Sequence, residues 1–496
     1  MNLYSGRKYI VPSFGFWLVK KPANSENISE SSRLKHKLKS SVAIQEKKSK
    51  VQQVLQTIVS PKKIDANTSF RIKEKSISLS KSELFLNTVD DIWNEAHQED
   101  ILHLVCENKK FNGKKLIVNG KKLLNFGSCG YFGLEFDERL RKSAIEGISK
   151  YGTQFAFPPI YMSTPDYREL KSKYHQIFGV SPLIAQTTTL AHLGCIPIIV
   201  GDKDIVLLDQ QVHNSVQMAI KIIVARGVIV KTVPHSNLEV LEEKIKKLKG
   251  HHKKIWYFID GIYSMYGDFA PIKELQELQK KYPQLSLYID DAHGMSWLGK
   301  HGSGYALSQL ETLDNVILAT SHAKCFGSSG GTLIINDKPL AEKVRKFGST
   351  MIFSGPLQPS LVGACIASAD IHLSGEIYLL QDKLKEKIKY RSSCFEVAGL
   401  PVVDGGMTPI SFIGIGDHRA VGDIVKILME EGFYVNPALF PAVSKTRNGI
   451  RITTTLHQTK RNIQLLADVL AYYLPKVLSK YKTSLEEVFQ KYSLIR

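Results

Sequence analysis

Along most of this chain the hydrophobic positions arrive in two alternating kinds of block. Short unbroken apolar runs, bounded by turn or polar residues, occur at 204–209, 228–233, 254–260, 285–289, 316–319 and 332–336. The runs 285–289 and 316–319 do not alternate, so they predict strands buried on both faces; 204–209 reads as a further buried strand, and 228–233, 254–260 and 332–336 as further strands. Between them lie segments with helical spacing, such as 237–248, rich in lysine and glutamate. Strand–helix alternation from about 183 to 335 predicts a mostly parallel, doubly wound α/β sheet. Upstream, Leu84, Leu86, Val89, Ile92 and Trp93 have helical spacing, Asn119-Gly120 separates two strand-like pieces as a hairpin turn, and 137–151 has surface-helix spacing ending at Gly152. Downstream, a long charged helix around 381–391 leads to a smaller α+β region with strands near 402–403 and 409–415, a helix at 420–431, a strand-like stretch around Arg451 and a final helix carrying Leu465, Val469 and Leu470.

This divides the 496 residues into an N-terminal extension (1–82), an arm and small-domain segment (83–150), a large domain (151–375), a C-terminal small domain (376–480) and a tail (481–496). The extension carries 17 Lys+Arg against 5 Asp+Glu, most of the formal net charge of +19. Its aromatic start, its polar stretch 21–50 and its apolar patch 51–59 suggest a partly disordered, partner-binding arm. The basicity is therefore no sign that the body binds nucleic acid, although the remaining positive excess favours anionic ligands such as phosphates, carboxylates or a coenzyme A tail. Six cysteines without a CxxC pair argue for a reducing compartment and against disulfides or a zinc site. With no apolar run of 18 residues and no secretory h-region, the expectation is a cytoplasmic protein without a transmembrane segment.

The chemistry concentrates where strands end. The run 285–289 closes on Asp290, Asp291, Ala292 and His293; the run 316–319 closes on Ser321, His322, Ala323 and Lys324, followed by Gly327, Gly330 and Gly331. In open α/β sheets ligands sit at the carboxyl ends of strands, so an acid, an imidazole and an amine reach one crevice. A pocketed lysine can form a Schiff base with an aldehyde cofactor. An aspartate facing it can keep a pyridine nitrogen protonated, and a histidine can bond a phenolic oxygen. That equipment suits pyridoxal 5'-phosphate better than a buried ion pair. Gln186–Thr189 opens an apolar helix, where hydroxyls and free N–H groups can hold a phosphate or merely cap the helix. His213 follows a strand end and can stack on a planar ring; Arg451 can bind a carboxylate bidentately.

Taken together, DQQVHNS, DGIYSMYGDFAP, IDDAHGMSWLGKHGSG, SHAKCFGSSGG and FPAVSKTRNGIRITTTLH resemble the α-oxoamine synthase family of fold-type I pyridoxal phosphate enzymes, over about residues 100–475. The resemblance implies a decarboxylative condensation of an amino acid with an acyl thioester, carried by coenzyme A or an acyl-carrier protein, to an α-amino ketone. It implies Lys324 as the Schiff-base lysine, Asp290 at the pyridinium nitrogen, His293 and Ser264 near the phenolic oxygen, and His213 on the ring. Thr188, Thr189 and Ser321 fall at the phosphate. Ser354 falls where a second subunit contributes to it, which implies a homodimer with shared sites. Arg451 matches the carboxylate-binding arginine.

Two departures stand out. Where the family commonly has an Asn–Asp pair before Tyr-Leu-Gly, this chain has Cys129 and Gly130; where a glycine- and arginine-rich segment follows Tyr-Gly-Thr, it has QFAFPPIY. Both sides of the substrate pocket are altered, which points to an unusual donor or acyl group, with Cys129 lining it. Two other classes remain open: an aminotransferase or carbon–carbon lyase on the same fold, and a non-catalytic partner subunit. Lys324, Asp290 and His213 together speak against the last.

Overall fold

The computed structural model describes residues 81–403 and 407–494. The expectations for the basic front segment fall on residues outside these. The described chain begins with the helix Lys81–Gln98, which buries Ile92 and Ala96 but leaves Leu84, Phe85, Leu86 and Trp93 exposed. Strands β1 (Lys115–Val118) and β2 (Lys121–Asn125) then pair antiparallel. Asn119 and Gly120 take φ of 49° and 72°, the left-handed pair that a two-residue hairpin turn requires. The helix Glu138–Tyr151 starts on Asp137, whose carboxylate accepts from the Arg139 N–H, and stops at Gly152 with φ 78°.

The central sheet holds seven strands: β3 (Leu183–Ala185), β4 (Ile205–Asp209), β5 (Ile229–Val233), β6 (Ile255–Asp260), β7 (Leu285–Asp290), β8 (Val316–Ser321) and β9 (Gly331–Ile335). Their spatial order is β3-β9-β8-β7-β6-β4-β5. Strands β4 to β8 are parallel, while β9 runs antiparallel to both neighbours. The reason is length: the glycine-rich turn after β8 is too short for a crossover helix, so the chain can only double back. Every residue of β6, β7 and β8 is buried, as unbroken apolar runs require. One face presents Ile255, Tyr257, Ile259, Leu285, Leu287 and Ile289 to one core; the other presents Trp256, Phe258 and Tyr288 to a second. Each such side chain contributes roughly 2 kcal/mol by leaving water. These two cores fix the strand ends that the chemistry uses.

The helix Glu376–Val397 is longer than the charged stretch suggested, because Ile377, Leu384, Ile388, Cys394 and Phe395 bury one stripe along it. Beyond it come β10 (Val402–Val403), β11 (Ile410–Gly416), β12 (Phe433–Tyr434), β13 (Asn436–Ala438) and β14 (Asn448–Thr453). Four of these form an antiparallel sheet in the order β10-β11-β14-β13, and β12 joins β2 in parallel. A third core packs them under the helices His418–Glu430 and Lys460–Lys480. The basic tail is not loose. A capping box of Ser484 and Glu487 starts the helix Leu485–Lys491, Val488 is buried, and the Tyr492 hydroxyl donates to the Asn448 carbonyl at 2.8 Å. Among the described residues no helix is long and apolar enough to cross a membrane.

Candidate cofactor and substrate site

Four parallel strands end in carboxylates or hydroxyls at their carboxyl ends: Asp209 on β4, Asp260 on β6, Asp290 on β7 and Ser321 on β8. Asp260 and Asp290 are direct register partners, so two buried acids lie side by side. Two like charges cannot share such a place, and the neighbours decide which acid keeps its charge. Asp290 Oδ2 faces His192 Nε2 at 2.9 Å, and its Oδ1 accepts the Ala292 N–H at 3.1 Å. Burial pushes Asp290 up, but His192, then Lys324 and His213, hold it well below the usual carboxylate range. Asp260 is driven the other way, up, by burial and by the charge of Asp290. Asp290 is thus the charged member and Asp260 the neutral one.

His192 carries no motif and was not among the residues singled out from sequence. It lies in the apolar helix Thr188–Ile199, fully buried, with Nδ1 at 2.7 Å from the Tyr288 hydroxyl. Pinned between Tyr288 and Asp290, it fixes the carboxylate from behind. The signal in the sequence is only a polar residue inside LAHLGCIPIIV.

His213 caps the helix Asn214–Val224: its Nδ1 lies at 2.6 Å from the Ser215 hydroxyl, and its own N–H donates to Asp260 Oδ1 at 3.0 Å. Burial lowers its pKa, so a neutral ring stands beside the strand ends. His293 is buried too, and burial with Lys324 and Arg451 nearby lowers it well below its ordinary value. The Tyr131 hydroxyl lies 2.8 Å from His293 Nδ1, and burial raises the Tyr131 pKa, so the phenol keeps its proton. Lys324 is half-buried in the turn after β8. Burial pulls its amine down, with Asp290 opposing.

The helix N-terminus takes shape opposite. Thr187 is the cap, accepting from Leu190 N–H at 3.1 Å, while the Thr188 hydroxyl donates to the Thr320 carbonyl at 3.0 Å. Thr188 and Thr189 lie in the first turn, whose N–H groups have no intrahelical acceptor. Gly331, the register partner of Ser321, packs so tightly here that a Cβ on it would stand 2.5 Å from Thr188 N. Thr188, Thr189 and Ser321 are therefore drawn together. Ser354 follows the short helix Ser349–Phe353 and leads into a bend where Gln186 Nε2 donates to the Pro356 carbonyl at 3.2 Å, next to that N-terminus.

From the other sheet, Arg451 on β14 reaches across. Its Nε donates to the Ser264 carbonyl at 2.6 Å, and its Nη2 lies 3.6 Å from Cys129 Sγ. Burial alone would raise the Cys129 thiol, but Arg451 first and Lys324 second hold it below its ordinary value. For Ser264 the backbone carbonyl, rather than the hydroxyl, makes this contact.

Two further clusters brace the site. Asp291 is fully buried in a socket formed by Gly261, Gly294 and Gly304, where a Cβ would stand 2.3, 2.2 and 2.4 Å from its carboxylate. Its Oδ2 accepts the Ala306 N–H at 2.8 Å, and burial pushes it up to about 8. His235 joins two acids, Asp209 at the end of β4 (3.0 Å) and Asp268 in the loop that carries Ser264 (2.7 Å).

The donor set fits pyridoxal phosphate. A buried amine of lowered pKa, a carboxylate kept ionised, neutral imidazoles and a helix N-terminus each match a different part of that molecule. Fold and site define a fold-type I pyridoxal phosphate enzyme. The family model "Aminotransferase class I and II" matches residues 122–470. The 8-amino-7-oxononanoate synthase of Petrotoga mobilis is 31% identical over 356 residues, 71% of this chain and 88% of that protein. The serine palmitoyltransferase of Bacteriovorax stolpii is 28% identical, over 71% of this chain and 83% of its own length. A solved serine palmitoyltransferase from S. paucimobilis superposes with a TM-score of 0.72 at 21% identity, covering 80% of this chain and 99% of that one. The chain belongs to the aminotransferase class I and II family, in its α-oxoamine synthase branch. It is a pyridoxal phosphate-dependent acyltransferase.

Proposed function

We propose that this enzyme condenses an amino acid with an acyl thioester, releasing carbon dioxide and a free thiol and leaving an α-amino ketone, as a cytoplasmic homodimer with shared sites. The observation that carries the reading is the meeting of Lys324, the His192–Asp290 pair and the Arg451–Cys129 contact at one sheet edge. The relatives' names support the same chemistry.

When bound through Lys324, the cofactor supplies an electron sink for a carbanion at the amino acid's α-carbon. The protein's own residues do the rest. Asp290, kept charged by His192, would hold a proton on the ring nitrogen, and His213 would pack against the ring. Thr188, Thr189, Ser321 and, from a second subunit, Ser354 hold the phosphate. His293, oriented by Tyr131, and Ser264 lie toward the phenolic oxygen. Arg451 takes the amino acid's carboxylate, with Cys129 lining that pocket. Lys324 Nζ, its pKa lowered by burial, would take the amino acid's α-proton. Overall, the amino acid's α-carbon would become bonded to the acyl carbonyl carbon while the carbon–sulfur bond and the bond to the carboxylate break, so that thiol and carbon dioxide leave.

The test is to incubate the purified holoenzyme with single amino acids, with and without acyl-coenzyme A, and to measure carbon dioxide, free thiol and an α-amino ketone by mass spectrometry. All three products appearing only with both substrates is the expected result. Conversion of the amino acid alone to its oxo acid would make it an aminotransferase, aldehyde release would make it a lyase, and no turnover with any pair would favour a partner subunit.

A further inference from the structure

Away from the strand ends, the structure holds a cavity of about 320 Å³ lined by Leu380, Lys383, Glu386, Lys387, Leu456 and Lys460. Leu380, Lys383 and Lys387 are spaced by three and four residues, so they share one face of the helix Glu376–Val397. Lys460 is the first residue of the helix Lys460–Lys480, whose positive end opens here. Three lysines and a helix N-terminus thus face one acid, Glu386, and that acid is already paired with Lys460 at 2.6 Å.

Lys387 is fixed in place. Its Nζ donates to the carbonyls of Leu456, at 2.7 Å, and Gln458. Burial, with Lys114 nearby, lowers its pKa; burial with Lys114 and Lys387 lowers His457 beside it. Burial leads both shifts, with Glu386 opposing at Lys387 and the neighbouring lysines adding to the fall at His457. The floor is tied to the catalytic edge: Leu456 N–H donates to the Tyr131 carbonyl at 2.8 Å, and Tyr131 is the residue whose hydroxyl meets His293. Tyr131 therefore touches both the floor of the cationic cavity and His293.

We infer that this cavity takes a phosphate group, and that the phosphate belongs to the phosphopantetheine arm of the acyl-thioester carrier. The source of that arm rests on the synthase reading above; the phosphate site does not. Lysines bind phosphate as point charges, the helix Lys460–Lys480 adds the positive end of its dipole even though the Thr459–Asn462 capping box takes two of its N–H groups, and the apolar floor of Leu380 and Leu456 suits the start of an uncharged arm.

The experiment is calorimetric titration of the holoenzyme with coenzyme A, pantetheine and inorganic phosphate, in wild type, in the double variant Lys383→Gln/Lys460→Gln and in Glu386→Gln. Lys387 is left alone because it holds two carbonyls. The double variant should weaken coenzyme A and phosphate by about fivefold and leave pantetheine unchanged, since both lysines are exposed and water screens their charges. Glu386→Gln should tighten both phosphate-bearing probes, a change of sign that misfolding does not produce. Equal coenzyme A affinity in all three proteins overturns the site while leaving the synthase reading intact. Lysine-dependent phosphate binding without coenzyme A binding keeps the site and removes the carrier arm. Comparing KM for acyl-coenzyme A with KM for a phosphopantetheinylated carrier protein, in wild type and double variant, identifies the source: only the true carrier shows a lysine-dependent KM, with kcat unchanged.

Discussion

Two strand-end aspartates of the central sheet are each held by a histidine, and the two pairs do different work. His192 has one acid, Asp290, and one phenol, Tyr288, as neighbours, and nothing of it is exposed. His235 has an acid on each ring nitrogen, Asp209 and Asp268, and keeps a partly open edge beside Tyr263, ring centroids 4.4 Å apart. Burial works against a charge on His235, but the two carboxylates win and raise its pKa to about 10. His235 is therefore a cation at neutral pH that bolts the Ser264 loop to the sheet. His192 leaves its acid a free field toward Lys324. The number of acids around the ring separates a structural tie from a support for chemistry.

The largest effects that would break this comparison are at the chemistry itself. Lys324→Ala should lower product formation by roughly a thousandfold or more and abolish the visible band of bound cofactor, read by absorbance. Asp290→Asn, nearly isosteric, should rank next in turnover yet still bind cofactor. His192→Ala leaves one oxygen of a buried carboxylate unpaired; a cost of ~1–3 kcal/mol predicts a fall of about ten- to a hundredfold in α-proton exchange, measured by deuterium incorporation. A fall equal to that of Asp290→Asn would mean the two act as one unit.

His235→Gln should move stability by roughly 2 kcal/mol and activity less, since two buried acids lose their counter-ion. Its pH dependence has a definite sign. A histidine raised from 6.5 to about 10 contributes its full stability below pH 6.5 and loses it as pH climbs toward 10. The difference in Tm between wild type and variant should therefore shrink steadily across that window. The smallest expected effect is Cys129→Ser, which keeps size and polarity near Arg451 but loses the polarisable sulfur; KM for the amino acid should change more than kcat.

Much of this was legible in the sequence, because buried parallel strands announce themselves as unbroken apolar runs and their ends carry the acids and hydroxyls. Lys324, Asp290, His293 and His213 each stand within a few residues of such an end. What escaped was support from behind. His192 looks like one more residue of an apolar helix, and its meaning depends on Tyr288 and Asp290, 96 and 98 residues away. Tyr131 directly follows Cys129 and Gly130, yet its reach to His293 spans 162 residues. Likewise, that Arg451 meets a carbonyl of Ser264 rather than its hydroxyl is set by how two sheets dock, which periodicity does not encode.

The glycine socket around Asp291 carries a consequence for how this lineage can vary. Gly261, Gly294 and Gly304 come from three separate turns, yet each abuts the same carboxylate at a distance that admits no methyl group. A single step at any of the three collides with Asp291, and shortening Asp291 first leaves a hollow and an unsatisfied Ala306 N–H. The four positions can be traversed only by paired changes, so inheritance should hold them together as one character even though just one of them bears a side chain.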